Sequence, residues 1–181
     1  MKKLLFITLF SISAFAAFAQ KNTSQSYIEQ FKDNAIRIMH ETGVPASIVL
    51  AVAMHESGNG NSSIAKNLNN QFGIKGGGTV VYYKHKRKVR SSYKKYESVM
   101  ESFQDFARIM TERKQFSHLN DKFTSTDYKS WARGIQRAGY CTSKTWASQV
   151  MGIIKKYGLN ELDETPAAQP QPQQLAENTG K

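Results

Sequence analysis

The chain reads AVAMHESGNGN over residues 51–61, where an apolar run that favours a helix meets a series of turn residues. Glu56 is the one carboxylate in this stretch, and it stands where the helix must end. A carboxyl group at the end of a buried helix can lie at the lip of a cleft, partly shielded from water. A general acid that acts on a glycosidic bond needs that placement. The stretch therefore predicts an enzyme that cleaves sugar polymers, in a fold that supplies a groove beside Glu56.

The start of the chain has the composition of an export signal. Two lysines precede an apolar run at 4–18 that is too short to span a membrane as a helix, and Ala-Phe-Ala at 17–19 is a typical cleavage site. We therefore expect a signal peptide over residues 1–19 and a mature protein that starts at Gln20. It would be exported to the periplasm or the cell exterior, with no stable membrane insertion after cleavage. The alternative is an N-terminal membrane anchor that is not cleaved.

Beyond the signal, the composition predicts an extension at 20–26, one foldable domain at 27–162 and a tail at 163–181. Hydrophobic residues make up 40% of the chain, which is enough to fill a sizeable core. The tail is rich in proline and glutamine and has no apolar period, so we expect it to be disordered and available to an envelope protein partner. The single cysteine, Cys141, excludes an intrachain disulfide and a structural zinc site, and no metal or cofactor is expected.

The chain carries a formal net charge of +11, which favours an anionic partner such as a nucleic acid, a membrane surface or a cell wall. The export signal and the lack of a recognisable DNA or RNA motif argue against a nucleic acid. Basic residues concentrate in the run KHKRKVR at 84–90 and at Lys94 and Lys95. This run is either a solvated hairpin tip or a surface that binds the wall.

Hydrophobic periodicity predicts a mainly α domain with one small β-hairpin. β-branched and aromatic residues predict a strand at 79–83 and a return strand at 89–96, with the basic run as the turn. Ser98 and Glu101 form a capping box, which predicts a helix that starts there. Other helical patterns cover residues 27–41, 48–55, 62–68, 127–136 and 144–157.

Five short motifs occur in order along this domain. They are GVPASI at 43–48, HESG at 55–58, NNQFGIK at 69–75, YESVMESF at 96–103 and AGYCT at 138–142. In this order and spacing they resemble the glucosaminidase domain of glycoside hydrolase family 73, which flagellar-rod peptidoglycan hydrolases and many bacterial autolysins contain. The resemblance covers residues 27–159, nearly all of the foldable chain.

The resemblance implies a lysozyme-like fold with a helical lobe, a small β-hairpin lobe and a groove between them. It also implies an endo-β-N-acetylglucosaminidase that hydrolyses the β-1,4 bond between N-acetylglucosamine and N-acetylmuramic acid in the glycan strands of peptidoglycan. Glu56 matches the general acid of the family, and Tyr140 matches a tyrosine that lies in the groove near that acid. Asn70, Phe72 and Gly73 match the segment that lines the groove floor.

Several of these residues also have a purely structural interpretation. Asn69 and Asn70 offer amide donors and acceptors to sugar hydroxyls, but asparagine stabilises turns equally well. Phe72 is assigned to the groove on the motif alone, because a phenylalanine is more often part of a core. Trp131 and Trp146 stand among apolar residues at helical positions, so we expect them in the core.

The chain departs from the family pattern at the hairpin. Many members carry a second carboxylate there, thought to act as the base, but residues 76–96 contain no Asp or Glu. One hypothesis is that the N-acetyl oxygen of the substrate attacks the anomeric carbon, with Tyr140 orienting it. The other is that Glu97 or Glu101 reaches the groove as the second carboxylate.

Two further functions fit the same motifs. A lytic transglycosylase also uses a single glutamate followed by serine, and it leaves an anhydro sugar end where a hydrolase leaves a reducing end. A non-catalytic wall-binding module would keep the groove without turnover. The missing hairpin carboxylate and the basic run motivate this second alternative.

Overall fold

The computed structural model describes residues 21–166, and they form seven α-helices, a two-stranded hairpin and a C-terminal 3₁₀ helix. In chain order the elements are α1 (Ser24–Thr42), α2 (Ala46–Ser57), α3 (Ser63–Leu68), β1 (Lys75–Lys84), β2 (Arg87–Tyr93), α4 (Val99–Glu112), α5 (Lys114–Lys122), α6 (Tyr128–Arg137), α7 (Trp146–Tyr157) and the 3₁₀ helix (Leu159–Glu164). The predicted mainly α fold with one small hairpin is confirmed. The predicted signal peptide and the tail from residue 167 onward lie outside the described residues. Between residues 21 and 166, none of the helices has the length and apolar character needed to cross a lipid bilayer.

Helix α2 forms the centre of the core. Its residues from Ala46 to Met54 are all buried, because apolar side chains point in every direction rather than along one stripe. Helices α1, α4, α6 and α7 and the 3₁₀ helix surround it. Gly58 ends the helix with a φ of 58°, a left-handed conformation that glycine adopts without strain. Only the last turn of α2, which carries Glu56, therefore reaches solvent.

The hairpin is longer than predicted, and its turn is shorter. β1 begins at Lys75, and the glycines at 76–78 lie within it, where its register with β2 is irregular. The turn consists of His85 and Lys86, both at positive φ, so most of the basic run lies in the strands rather than in the turn. No residue from 75 to 93 belongs to the hydrophobic core or packs against it, and the hairpin projects from the helical lobe.

Hydrophobic periodicity in the sequence does not predict α5. Its sequence, KQFSHLNDK, is mostly polar, and only Phe116 and Leu119 are buried. These two side chains pack into the core as α5 folds against α4 and α6. Tertiary packing, rather than a local pattern, therefore stabilises this helix.

The folded part of the chain begins earlier and ends later than the expected boundaries at residues 27 and 162. Thr23 caps α1 in a reciprocal pair of hydrogen bonds with Ser26, so the helix already starts within the expected N-terminal extension. At the other end, Asp163 is buried in the 3₁₀ helix although it falls within the segment expected to be a disordered tail. The reason for the later boundary is that Asp163 has a partner inside the core.

Asp163 caps the N-terminus of the central helix α2. Its Oδ1 accepts a hydrogen bond from the backbone N–H of Ser47 at 2.8 Å, and its Oδ2 accepts one from the Ser47 hydroxyl at 2.6 Å. Pro45, the residue in the N-cap position, makes no side-chain capping bond, so the cap comes from the far end of the chain. Burial raises the pKa of Asp163 to about 6, despite the opposing hydrogen bonds from Ser47.

We expect Asp163 to make the stability of the fold depend on pH between about 4 and 6. In this window the folded protein keeps a proton on Asp163 that the unfolded chain has released, because the pKa is raised in the folded state. The free energy of unfolding therefore falls as the pH rises, by about 1–2 kcal/mol from this residue. Urea unfolding of wild type and of Asp163→Asn, which has nearly the same shape but does not ionise, isolates that contribution as a difference that changes with pH.

A difference between wild type and Asp163→Asn that stays constant from pH 4 to pH 7 would mean that Asp163 ionises in its ordinary range. The variant Asp163→Ala provides the second control. It removes both hydrogen bonds to Ser47 and, like Asn, does not ionise, so we expect it to be about 1–2 kcal/mol less stable than Asp163→Asn at every pH.

Candidate active site

A cavity of about 350 Å³ lies where the helical lobe meets the base of the hairpin. Its walls come from the end of α2, the loop before β1, the junction of α4 and α5, and the loop after α6. Glu56 is the only carboxylate among the described residues that line it. The groove expected beside Glu56 is therefore present as this cavity.

The Glu56 carboxylate is held in place by a tryptophan on another helix. Its Oε1 accepts a hydrogen bond from the indole N–H of Trp146 at 2.8 Å. Its Oε2 accepts no hydrogen bond from any residue in the range 21–166, and it lies about 4.0 Å from where a Cβ on Gly73 would be. One oxygen is therefore anchored, and the other is available to a molecule in the cavity.

Trp146 is a site residue that the sequence analysis assigned only to the core. Its ring is buried, as expected, at the start of α7 beside Val150 and Ile154. A buried indole usually has a hydrogen-bond partner, but nothing in the sequence says which residue that partner is. The partner, Glu56, lies 90 residues away along the chain, so only the fold brings the two together.

Tyr140 lines the cavity, and its hydroxyl donates a hydrogen bond to the carbonyl of Phe72 at 3.0 Å. Its ring packs between aromatic side chains from three directions, with Trp146 at 5.2 Å between ring centroids. Burial, and then the negative charge of Glu56, raise the pKa of Tyr140 well above its usual value. The hydroxyl therefore stays protonated at neutral pH, as a donor to Phe72 whose oxygen can still accept a hydrogen bond.

Phe72 and Gly73 lie at the cavity, but they contribute in different ways. The Phe72 ring belongs to the core, stacked on Phe106 at a centroid distance of 4.4 Å, while its carbonyl is held by Tyr140. Gly73 has a φ of 63°, a left-handed conformation that favours glycine, and its backbone passes beside Glu56 Oε2. The motif therefore places a backbone segment, rather than an aromatic platform, beside the carboxylate.

Asn69 and Asn70 use their side chains within the protein rather than in the cavity. The Asn70 amide is buried, donates to the carbonyls of Ile74 and Lys94, and accepts from the N–H of Ile74. The Asn69 amide donates to the carbonyls of Tyr96 and Glu97, and Asn69 lines a different cavity. In place of the expected sugar contacts, these residues fix the base of the hairpin.

The structure does not bring Glu97 or Glu101 to the cavity. The Glu101 carboxylate accepts a hydrogen bond from the backbone N–H of Glu97 at 3.0 Å, and its own N–H donates to Ser98. Both glutamates therefore belong to the cap of α4, as the sequence pattern indicates. The described part of the chain supplies no second carboxylate to the cavity.

Two basic side chains, Lys75 and Arg113, line the cavity. Lys75 comes from the start of β1, and Arg113 from the junction of α4 and α5. Neither forms a salt bridge with a described residue. Within residues 21–166, no three histidine, cysteine, aspartate or glutamate side chains come together as a metal site would require. The described lining of the cavity therefore offers one carboxylate and two cations.

A helical lobe, a projecting hairpin and a cavity built on the carboxylate of a buried helix define a lysozyme-like domain. The sequence matches the family model described as glucosaminidase, mannosyl-glycoprotein endo-beta-N-acetylglucosaminidase, over residues 32–159. The chain belongs to this glucosaminidase family, and the resemblance inferred from the five motifs is confirmed.

Individual relatives agree with the family assignment. The chain is 32% identical to the exo-glucosaminidase LytG of Bacillus subtilis over 151 residues, which cover 77% of the chain and 54% of LytG. It is 25% identical to the peptidoglycan hydrolase FlgJ of Vibrio cholerae over 162 residues, which cover 82% of the chain and 48% of FlgJ. The chain thus spans about half the length of these curated relatives.

Solved structures of similar domains support the lysozyme-like fold. The catalytic domain of the autolysin Auto from Listeria monocytogenes matches with a TM-score of 0.61 and 27% identity, covering 86% of this chain and 99% of that one. A peptidoglycan hydrolase from Sphingomonas sp. A1 matches with a TM-score of 0.60 and 26% identity, covering 81% and 99%. The predicted fold class is therefore confirmed by both the architecture and its neighbours.

Proposed function

We propose that this protein is an exported peptidoglycan hydrolase that cleaves the β-1,4 bond between N-acetylglucosamine and N-acetylmuramic acid, with Glu56 as general acid. The observation that carries the proposal is the position of Glu56. It is the only carboxylate among the described lining residues of the cavity, and it stands at the end of a buried helix with one oxygen anchored by Trp146. Relatives named glucosaminidase, peptidoglycan hydrolase and autolysin support the substrate class.

The anchored carboxyl group suits the protonation step of glycoside hydrolysis. A glycosidic oxygen is a poor leaving group and must be protonated as its bond to the anomeric carbon breaks. Because Trp146 holds Oε1, Oε2 is the oxygen that delivers the proton to a glycan in the cavity. Gly73 keeps the space beside Oε2 free of a side chain.

For the attacking group, we propose the N-acetyl oxygen of the substrate. Its carbonyl oxygen bonds to the anomeric carbon as the glycosidic bond breaks and Glu56 gives its proton to the leaving oxygen. Water then opens the cyclic intermediate and returns a proton to Glu56. Tyr140 supports this mechanism, because its hydroxyl is held by Phe72 with an oxygen left to accept the acetamido N–H. The lack of a second carboxylate among the described lining residues favours this mechanism over a base on Glu97 or Glu101.

Glu56→Gln is expected to abolish cleavage and leave the fold intact, since the amide has nearly the same shape as the carboxyl group. Mass spectrometry of muropeptides released from purified peptidoglycan should show fragments with reducing N-acetylglucosamine ends for the wild type only. Long fragments early in the digest would indicate endo cleavage, as we propose, and disaccharides alone would indicate exo cleavage. Anhydro-muramic ends would identify a lytic transglycosylase. An absence of fragments from the wild type would leave a wall-binding module.

Trp146→Phe is expected to lower kcat about tenfold or more with little change in KM. The variant keeps an aromatic ring in the core but removes the one N–H among residues 21–166 that donates to Glu56 Oε1. The matched control is Trp131→Phe, because the Trp131 indole donates to the carbonyl of Thr124, away from the cavity. Equal losses in both variants would assign Trp146 a role in folding alone.

Arg113→Gln is expected to weaken binding of glycan strands that carry free lactyl carboxylates about fivefold, and to leave binding of neutral N-acetylglucosamine oligomers nearly unchanged. The physical reason is that Arg113 lines the cavity without an acidic partner among the described residues. Calorimetry in the Glu56→Gln background measures both affinities without turnover. Lys114→Gln removes the same charge next in sequence but outside the cavity, so an equal loss there would contradict a specific role for Arg113.

A further inference from the structure

One face of the hairpin is exposed, apolar and basic at the same time. The antiparallel register places Val81 opposite Arg90 and Tyr83 opposite Lys88, and residues directly opposite each other share a face. We call these four residues the outer hairpin face. Val81 is 47% exposed and Tyr83 is 64% exposed, and they are the two large hydrophobic side chains classed as exposed in the range 21–166. Together with the two cations, this apolar pair offers a partner both apolar and charged contacts on one face.

The fold gives no structural reason for this face. No residue between 75 and 93 packs against the core, so Tyr83 and Val81 add nothing to it. Neither Lys88 nor Arg90 forms a salt bridge with a described residue, and residues 76–96 contain no acidic side chain. Residues 84–90 carry five lysines and arginines that repel one another. A partner that brings negative charges would relieve this repulsion.

The chemistry of the face fits a glycan that carries carboxylates. A tyrosine ring offers a flat apolar surface to the C–H face of a pyranose, with a hydroxyl at its edge for hydrogen bonds. Lys88 and Arg90 stand across the ladder from the two apolar residues, where they can pair with carboxylates on the same polymer. Insertion into a lipid surface would need more apolar area than one tyrosine and one valine.

The position of the face separates it from the catalytic cavity. β1 starts at Lys75, which lines the cavity, and Tyr83 follows eight residues later. Because the register of β1 is irregular over its glycines, the distance is better taken along β2, where Tyr93 and Lys88, the partners of Lys75 and Tyr83, are five residues apart. At about 3.3 Å per residue, Tyr83 lies roughly 17 Å along the hairpin from Lys75. A disaccharide bound at Glu56 would not reach it, whereas a polymer or a second strand of the wall would.

We propose that the outer hairpin face is a second binding site for carboxylate-bearing glycan strands of the wall, distinct from the cavity that holds Glu56. This proposal rests on the proposed function for the identity of the polymer. It assigns the hairpin, which lacks the carboxylate typical of the family, to attachment rather than to catalysis.

The test compares two charge-matched variants in the Glu56→Gln background, so that binding is measured without cleavage. The first variant, Tyr83→Thr with Lys88→Gln and Arg90→Gln, removes the outer face. The control, Lys84→Gln with Arg87→Gln, removes the same number of charges from a cross-strand pair on the opposite face. Sedimentation with purified peptidoglycan should show affinity about tenfold weaker for the first variant and less than about threefold weaker for the control. Equal losses would overturn the proposal, since general charge attraction would explain them.

Three further measurements bear on the same inference. The conservative variant Tyr83→Phe with Lys88→Arg and Arg90→Lys should bind like the parent, and its failure to bind would overturn the proposal. With Glu56 restored, the first variant should cleave short oligosaccharides at the wild-type rate, and a loss there would place the face within the catalytic cavity. A first variant that kept its wall binding but lost binding to anionic vesicles or to single-stranded DNA would assign the face to lipid or nucleic acid.

Different results would overturn the proposed hydrolase activity and the proposed role of the outer hairpin face. A wild-type protein that cleaves nothing, while the face still binds wall, would overturn only the hydrolase activity. A wild-type protein that cleaves peptidoglycan, while the first variant binds wall normally, would overturn only the role of the outer hairpin face.

Discussion

The site depends on the burial of helix α2 from Ala46 to Met54. A helix that is apolar on all sides has no solvated face, so its polar ends must find partners within the protein. Asp163 supplies hydrogen bonds at the N-terminal end, through Ser47, and Trp146 holds the carboxylate of Glu56 at the other end. Both partners come from the last elements of the described chain. The position of Glu56 is therefore fixed by residues that fold around α2 from far along the sequence.

This dependence explains which parts of the site the sequence predicts. Glu56 follows from a local pattern, because an apolar run and a glycine turn define a helix end wherever it lies. Trp146 and Asp163 act through partners 90 and 116 residues away, and no local pattern encodes such a pairing. The asparagines illustrate a different limit: an amide serves a turn or a sugar equally well, and only the hydrogen bonds of Asn70 show that its donors are already used. Helix α5, like the pairings of Trp146 and Asp163, depends on residues far away in the sequence, because other helices build the core that buries Phe116 and Leu119. No local pattern therefore predicts it.

The base of the hairpin is attached firmly, while its far end is free. Asn70 joins the carbonyls of Ile74 and Lys94, which lie on the two sides of the hairpin base, and Lys94 also pairs with the buried carboxylate of Asp105. Beyond this point the strands pair only with each other. A two-stranded hairpin has little stability of its own. The hydrogen bonds and the salt bridge at its base therefore fix its position beside the cavity.

The residues around Glu56 and the strands of the hairpin are constrained to different degrees. Tyr140 is a neutral donor at neutral pH, and its hydrogen bond to the Phe72 carbonyl holds the backbone next to Gly73, beside Glu56. The geometry around Glu56 is thus set by buried hydrogen bonds, which tolerate little change. The hairpin strands face no such constraint, because they contribute nothing to the core. The basic side chains of residues 84–90 therefore lie apart from the hydrogen bonds that position Glu56, and Lys75 belongs both to the hairpin and to the cavity.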